Sequence, residues 1–293
     1  MKNIYILNDT SDYHGGSSAV MEYLLALFNK NIFSVVLETC TNKIEITNIN
    51  NADIVILNGE GTMHSSKPRA IHLLKVLEYA QNIGKSTIIC NTSWFNMTRE
   101  YDHVLRKLDQ FTVREILSKK ELASKHNIIP EIALDLSYHI QSNIVRNESI
   151  RFLKTDFYSN EFNCFVIPNG GNLEYIEFFN MKKHNWQETL QKFSSTKVLL
   201  TGRYHGLIAS IKVKTRFITY PGNTKKIEGL LNWFGNDTAL VNDYKMILSN
   251  VKSSHRNLNY YNDLFEWADN LKQWRPYFME MDINVETIDN EIV

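Results

Sequence analysis

Short runs of β-branched and other apolar residues alternate with longer amphipathic stretches along the first half of the chain. This alternation predicts strand–helix–strand units, which build a doubly wound parallel sheet. Each apolar run ends in polar or glycine-containing residues, and ligand-binding groups gather at such strand ends. The predicted strands are residues 3–8, 33–38, 53–58, 86–90, 110–113 and a weaker 131–133.

Apolar residues recur every three or four positions in residues 18–29 and 68–83, which predicts helices with one buried face. The same alternation of strands and helices returns in the second half of the chain. The strands predicted there are 163–168, 197–201 and 215–220, and the helices are 171–180, 205–211 and 223–233. Residues 260–281, rich in aromatic side chains, predict a long C-terminal helix.

The stretch 141–160 is polar and weakly periodic, which predicts a junction between two domains, 1–150 and 151–293. Domains of this length are ordinary for globular proteins. The sequence therefore predicts the α/β class, with two facing doubly wound domains and a cleft between them.

The composition is that of a packed globular protein, since 43% of the 293 residues are hydrophobic and 22% are charged. Because 32 basic residues balance 32 acidic ones, no global field favours nucleic acid, and any phosphate site must be local. Three separated cysteines predict neither a disulfide framework nor a zinc site. No apolar run reaches the roughly 18 residues of a membrane span. We expect a cytoplasmic protein without a signal peptide, held at the inner membrane only through its substrate or partners.

The first polar cluster runs from Asp9 to Ser18 after the first predicted strand. Gly15 and Gly16, followed by two serines at a predicted helix start, suggest backbone N–H groups for an anion, and His14 could carry a proton. The spacing lacks the glycine pattern of dinucleotide-binding loops and the lysine of a P-loop. The alternative is a turn with a helix cap.

The second cluster, Asn58, Gly59, Glu60, Gly61 and His64, follows the third predicted strand. Glycines on both sides of Glu60 let the backbone approach a ligand and leave the carboxylate at the sheet edge, where a general acid or base belongs. In the alternative interpretation, Glu60 caps the following helix and His64 is solvated.

Further candidates follow the next strands. Arg114 ends the fifth strand, and its guanidinium suits a carboxylate or phosphate; a structural salt bridge is the competing interpretation. Asp135 is either a cleft residue or a turn cap. Asn91 and Trp94 follow the fourth strand, and Trp94 is the best candidate for stacking on a sugar ring.

Gly202, Arg203 and His205 lie between the strand 197–201 and an apolar helix. A helix N-terminus, a guanidinium and a titratable imidazole together suit an anionic substrate that becomes protonated. This is the strongest local signal in the chain.

Two adjacent lysines, Lys225 and Lys226, follow Asn223 and Thr224 at the opening of the next predicted helix. Lysine at such a position is a point charge for phosphate. A solvated charge pair is the alternative.

Together these segments resemble the polysaccharide pyruvyl transferase family. The resemblance spans about residues 3 to 235 and rests on 58–62 (NGEGT), 113–118, Asp135, 201–206 (TGRYHG) and 223–231 (NTKKIEGLL). It implies a GT-B-like fold, similar to two-domain glycosyltransferases with facing Rossmann-like halves. It also implies that Arg114 and Arg203 bind phosphoenolpyruvate, that His205 is the general acid, and that Lys226, or else Lys225, contacts the donor. No metal or redox cofactor is implied.

The implied reaction moves pyruvyl from phosphoenolpyruvate to two hydroxyls of one sugar, forming a ketal during capsule, exopolysaccharide or lipopolysaccharide biosynthesis. Glu60 or His14 would deprotonate the sugar. The partners would be an anionic donor and a saccharide or lipid-linked saccharide acceptor. The first alternative is a glycosyltransferase that uses a UDP- or CMP-linked sugar, with Glu60 as acid or base. The second is a non-catalytic carbohydrate-binding or scaffold protein.

Overall fold

The structure, a computed structural model, describes residues 2–28, 33–39, 45–155, 166–169, 172–222, 224–241 and 257–279. Its first half contains strands β1 (Lys2–Asp9), β2 (Phe33–Thr39), β3 (Ile54–Glu60), β4 (Ser86–Thr92), β5 (Gln110–Val113) and β6 (Glu131–Ile132). The helices are α1 (Gly15–Leu27), α2 (Ile46–Asn51), α3 (Pro68–Asn82), α4 (Asp102–Leu105) and α5 (Ile116–Glu121), with a π-helical turn Leu122–His126 and a 3₁₀ turn Leu136–His139.

The six strands form one parallel sheet in the order β2-β1-β3-β4-β5-β6. All six strands predicted for this half are therefore confirmed. Successive side chains alternate between the faces, so that Ile4 and Ile6 pack with α1 while Tyr5 and Leu7 pack with α3. Because the chain winds outward from β1 to β2 and then back to β3, a crevice opens between the carboxyl ends of β1 and β3.

A second sheet repeats this winding. Its half contains β7 (Ile150–Thr155), β8 (Val166–Asn169), β9 (Asn172–Tyr175), β10 (Glu177–Phe179), β11 (Thr196–Thr201) and β12 (Arg216–Thr219), with helices α6 (Trp186–Ser194), α7 (Tyr204–Lys212), α8 (Lys226–Phe234) and α9 (Leu258–Asp269). The parallel order is β10-β7-β11-β12, and β8 and β9 pair as an antiparallel hairpin. We call residues 2–140 the first unit and the described residues of 150–269 the second unit; both are Rossmann-like.

One prediction for the second half is wrong, and the stretch expected as a junction contains a strand in its second part. The stretch 141–160, expected as a junction, contains the central strand β7, whose apolar pattern is interrupted by Arg151 and Lys154. The segment 171–180, expected to be helical, forms β9 and β10 from residue 172 onward. Pairing of β10 with β7 overrides the weak helical periodicity of that segment. The division into domains 1–150 and 151–293 stays a prediction.

The C-terminal helix is shorter than expected, since α9 ends at Asp269 rather than at 281. Beyond it the chain crosses to the first unit, where the Trp274 carbonyl accepts a hydrogen bond of 2.7 Å from the Tyr23 hydroxyl. Aromatic residues beyond α9, such as Phe278, therefore pack against the first unit.

Helix α1 lies between the two sheets and contacts α6 and α7. A Cβ on Gly15 would lie 2.6 Å from the carbonyl carbon of Asn185, and a Cβ on Gly16 would lie 2.5 Å from the His205 ring. Glycine is therefore required for this close approach of the units. Within the described ranges, no helix has both the length and the apolar character needed to cross a membrane.

Candidate active site between the two sheets

A cavity of about 500 Å³ lies where the strand ends of the two units face each other. Both units contribute to its lining, the first with Glu60 and the second with His205. Among the described residues of this lining, one carboxylate, that of Glu60, faces six basic side chains: Lys67, Arg69, Arg114, Lys182, Arg203 and Lys226. Because the whole chain is neutral, this positive field is local, and it suits an anionic ligand.

Glu60 ends β3 with a left-handed backbone, φ +39°, which is costly for a residue other than glycine and typical of functional sites. Its Oε1 accepts a hydrogen bond of 2.8 Å from the Thr10 hydroxyl, and its Oε2 accepts one of 3.1 Å from the Ser17 hydroxyl. Burial raises the pKa of this carboxyl, and Arg114 opposes the rise. The helix-capping alternative is wrong, because the next helix begins only at Pro68.

Arg114 is buried but still lines the cavity. Its Nε donates to Ser93 Oγ at 2.9 Å, and its Nη1 donates to Asp135 Oδ2 at 2.7 Å. The guanidinium carbon lies 4.4 Å from the centre of the Tyr204 ring, and Nη2 lies on the side of Gly61. Arg114 therefore makes the structural salt bridge and also presents its guanidinium to the cavity.

Asp135 is completely buried and lies behind the cavity wall. It caps the 3₁₀ turn, because its Oδ1 accepts hydrogen bonds from the Ser137 backbone N at 3.0 Å and from the Ser137 hydroxyl at 2.6 Å. Burial raises its pKa, but His205 and Arg114 outweigh burial and hold the pKa below its usual value. Asp135 is thus a turn cap and also a charged partner of two cavity residues.

His205 reaches the cavity from the first turn of α7. The centre of its ring lies 4.8 Å from that of His14, and its Nε2 lies 3.6 Å from Asp135 Oδ1. Burial lowers the pKa of His205 well below its usual value; Asp135 opposes this, whereas His14, Arg114 and Lys226 reinforce it. Burial therefore disfavours the protonated form of His205 in the ligand-free protein, and an anion in the cavity would favour it.

The structure separates the two adjacent lysines. Lys226 lines the large cavity, and a Cβ on Gly61 would lie 3.5 Å from its Nζ. Burial, reinforced by Arg114, lowers the pKa of Lys226 to about 8. Lys225 is exposed and lies with Thr224 at a smaller cavity of about 180 Å³. Asn223 lies outside the described residues.

The anion cradle expected at residues 15–18 stays a prediction for the backbone N–H groups of Gly15 and Gly16, whereas those of Ser17 and Ser18 have partners at the helix start. His14 caps α1, because its Nδ1 accepts a hydrogen bond of 3.2 Å from Ser17 N and its carbonyl accepts one of 3.0 Å from Ser18 N. These backbone N–H groups are therefore used at the helix start. The His14 ring lines the large cavity, whereas Asp9 lies outside its lining.

The proposed stacking role of Trp94 is also wrong. Its side chain is 1% exposed and packs edge-on against Phe111 and His126. A ring buried to this degree cannot stack on a sugar.

Three more residues expected at the cleft stabilise the strand ends that form its wall. The Asn58 carbonyl accepts a hydrogen bond of 2.7 Å from Asn8 Nδ2, and Gly59 leaves space for a β4 side chain. Asn91 Oδ1 accepts a hydrogen bond of 3.3 Å from Leu136 N, which ties β4 to the 3₁₀ turn. These contacts fix the shape of the strand ends.

The remaining predicted residues face open space. Gly61 and His64 line the large cavity, and Gly202 lines an adjoining pocket of about 40 Å³ beside His205. Burial, reinforced by Lys67, lowers the pKa of His64. Among the described residues, no three His, Cys, Asp or Glu side chains are grouped as a metal site.

Sequence reasoning missed several residues of the cavity. Lys67 and Arg69 flank Pro68 at the start of α3, where cations oppose the helix dipole, and that unfavourable placement is a signal for them. Lys182 follows β10, in the segment expected to be helical. The missed lining residues include Asn8, Lys67, Arg69 and Lys182.

Two Rossmann-like units with a ligand cavity between their strand ends define a GT-B-like protein, and solved structures share this fold. Staphylococcus aureus MnaA, solved with UDP, aligns at a TM-score of 0.55 and 10% identity over 91% of each chain. A Klebsiella pneumoniae protein of uncharacterized function aligns at a TM-score of 0.53 and 15% identity, over 83% of this chain and 94% of that one. Phytolacca americana UGT2 aligns at a TM-score of 0.52 and 10% identity, over 92% of this chain and 94% of that one. No curated protein matches the sequence significantly.

The sequence model of one family, polysaccharide pyruvyl transferase, matches residues 14–223. Because this match covers most of the chain, the protein belongs to the polysaccharide pyruvyl transferase family, as its motifs indicated. It is a transferase of polysaccharide biosynthesis.

Proposed function

We propose that this protein transfers pyruvyl from phosphoenolpyruvate to two hydroxyls of one sugar, forming a ketal on a cell-surface polysaccharide or its precursor. One observation carries the proposal: Arg114, Arg203, Lys226 and His205 line a single cavity although they come from both units. The family resemblance gives these four residues the roles of donor binding and acid catalysis.

The charge of the cavity fits this donor. Phosphoenolpyruvate carries a carboxylate and a phosphate, and six basic side chains face one carboxylate in the lining. Fixed cations in a water-poor site bind such groups strongly and stabilise charge that develops during reaction. The same anionic groups would favour a protonated His205, the form needed for a general acid.

In the proposed reaction, phosphoenolpyruvate loses phosphate, gains a proton at its methylene carbon and gains two sugar oxygens at C2. His205 donates a proton to the methylene carbon of phosphoenolpyruvate, and the π electrons form the new C–H bond, leaving a cation at C2. The first sugar hydroxyl adds there and gives its proton to a base; the C2–O bond to phosphate then breaks, and the second hydroxyl adds. One hydroxyl proton restores His205 and the other leaves with phosphate.

Glu60 is the proposed base for the sugar hydroxyl. Both Glu60 and His14 were open candidates, but His14 Nδ1 already accepts a hydrogen bond from Ser17 N. Protonation of that nitrogen would cost the helix its cap. The Glu60 carboxylate is held in the cavity by two hydroxyl donors, so it needs no such rearrangement.

Thermal unfolding with phosphoenolpyruvate, UDP or CMP tests the donor. A ligand at about 100 times its Kd adds roughly 2.7 kcal/mol of stability. We expect phosphoenolpyruvate alone to stabilise the wild type and Lys225→Met, but not Lys226→Met; Lys225 is the matched control because it is exposed outside the large cavity. Stabilisation by UDP or CMP alone would instead indicate a glycosyltransferase. No stabilisation by any of the three would favour a non-catalytic carbohydrate-binding protein.

A further inference from the structure

Asp135 connects two cavity residues that belong to different units. Its Oδ2 accepts the 2.7 Å hydrogen bond from Arg114 Nη1, in the first unit. Its Oδ1 lies 3.6 Å from His205 Nε2, in the second unit. One buried carboxylate thus faces both a cation and the imidazole on which the proposed chemistry depends.

The imidazole side of this contact is incomplete. His205 Nε2 is buried and makes no hydrogen bond to any residue that the structure describes, and such buried polar atoms are rare enough to require an explanation. A shift of roughly half an ångström would bring Nε2 within normal hydrogen-bond distance of Asp135. Catalytic hydrogen bonds that are long in ligand-free structures commonly shorten in the substrate complex.

The carboxylate side is already fixed. Ser137 donates two hydrogen bonds to Oδ1, and Arg114 holds Oδ2. Asn91 also anchors the 3₁₀ turn to β4. Any shortening must therefore come from the His205 side, when the second unit moves toward the first around a ligand.

We propose that Asp135 is a positioning residue: on donor binding it accepts Nε2–H of His205 and thereby directs Nδ1 of the same ring to the donor. This inference rests on the proposed function. The proton that reaches the methylene carbon then leaves from Nδ1, while Nε2 keeps its own proton and its hydrogen bond to Asp135. His205 ends the step as the neutral Nε2–H tautomer, and Asp135 remains a carboxylate throughout.

The charges around His205 show why this carboxylate is needed. His14 from the start of α1, Arg114 from the end of β5 and Lys226 from the start of α8 all disfavour a protonated ring, whereas Asp135 favours it. Anionic groups of the donor would offset the three cationic or titratable neighbours. Asp135 would then stabilise the imidazolium through a direct hydrogen bond.

Two measurements test the inference. The first is ¹⁵N NMR of histidine-labelled protein, in which the His205 signals are identified by their loss in His205→Gln. We expect the neutral Nε2–H tautomer in the wild type. The second is calorimetry of phosphoenolpyruvate binding in buffers of different ionisation enthalpy, which counts the protons taken up. We expect uptake near one proton in the wild type and well below one in Asp135→Asn.

Asp102→Asn is the matched control. Asp102 is also buried and pairs with a histidine, at 2.5 Å from Asp102 Oδ1 to His126 Nδ1, but neither residue lines the cavity. It should destabilise the fold without changing proton uptake. Equal uptake in wild type and Asp135→Asn would overturn the proposal, as would a neutral Nδ1–H tautomer at His205.

The wild-type NMR measurement keeps the proposal testable even if Asp135→Asn fails to fold. It also distinguishes the two proposals, because it can be made without ligand. If phosphoenolpyruvate does not bind, the proposed function fails, while the Nε2–H tautomer facing Asp135 can still be found.

Discussion

The two halves of the cavity wall are built differently. In the first unit, Glu60 accepts two hydrogen bonds and Arg114 donates to two buried partners. In the second unit, His205 Nε2 lacks a hydrogen-bond partner among the described residues, and burial lowers the pKa of Lys226 to about 8. Glu60 and Arg114 of the first half are therefore held by hydrogen bonds without a ligand, whereas His205 of the second half is not.

This difference predicts separate roles for the two halves of the cavity wall. A wall whose charges are already paired holds its geometry in the absence of substrate, as preorganised sites do. His205 and Lys226 in the second wall are disfavoured in their charged forms and gain most when an anion arrives, so ligand binding couples to protonation and to approach of the units. Substitutions in the first half should therefore affect folding, and those in the second half should affect binding.

The largest expected effect is in the first half. Arg114→Met leaves the Asp135 carboxylate buried without its cationic partner, and breaking such a pair costs about 3–5 kcal/mol. The free energy of unfolding in urea should fall by that amount. Arg203→Met is the control, since Arg203 is partly exposed in the same cavity; it should cost no more than about 1 kcal/mol but abolish phosphoenolpyruvate binding. Equal losses of stability in Arg114→Met and Arg203→Met would contradict the separate roles of the two halves.

Contact between the halves is tested by Gly16→Ala. The added Cβ would lie 2.5 Å from the His205 ring, and such overpacking costs about 1–3 kcal/mol. Urea denaturation should show this loss, and phosphoenolpyruvate affinity should fall as His205 is displaced. Gly222→Ala is the control, because its Cβ would meet nothing closer than 3.6 Å. If both variants behave alike, α1 and α7 do not approach each other as described.

The sequence could predict which strand ends carry chemistry, but not which way each side chain faces. Glu60 and His205 were found because each adjoins a buried apolar run, and parallel strand ends share one edge of a sheet. Trp94 also follows such a run, yet it is enclosed by packing that no local pattern records. Strand β7 was missed because Arg151 and Lys154 interrupt its apolar alternation, and its strand character depends on pairing with β10 and β11.

The second half should show a pH dependence. Lys226 is protonated below its pKa of about 8 and loses its charge as the pH rises through that value. Phosphoenolpyruvate affinity should therefore fall more steeply above about pH 8, by up to about tenfold per pH unit. Calorimetric titration across this range measures the slope. Lys226→Arg keeps its charge at alkaline pH, so the added steepness should disappear; its persistence would assign the titration to another group.

The smallest expected effect concerns the fixed geometry of Glu60. Ser17→Ala and Thr10→Val each remove a hydroxyl that donates to this carboxylate, and loss of one such bond costs about 1 kcal/mol. Each variant should lose that much free energy of unfolding in urea. Because the two hydroxyls also lower the pKa of Glu60, each variant should raise it further. Ser18→Ala, in the same helical turn, changes no bond to Glu60 and should stay within about 0.5 kcal/mol of wild type. If Ser17→Ala is no less stable than Ser18→Ala, the hydroxyls do not hold Glu60, and the first half is less rigid than its hydrogen bonds indicate.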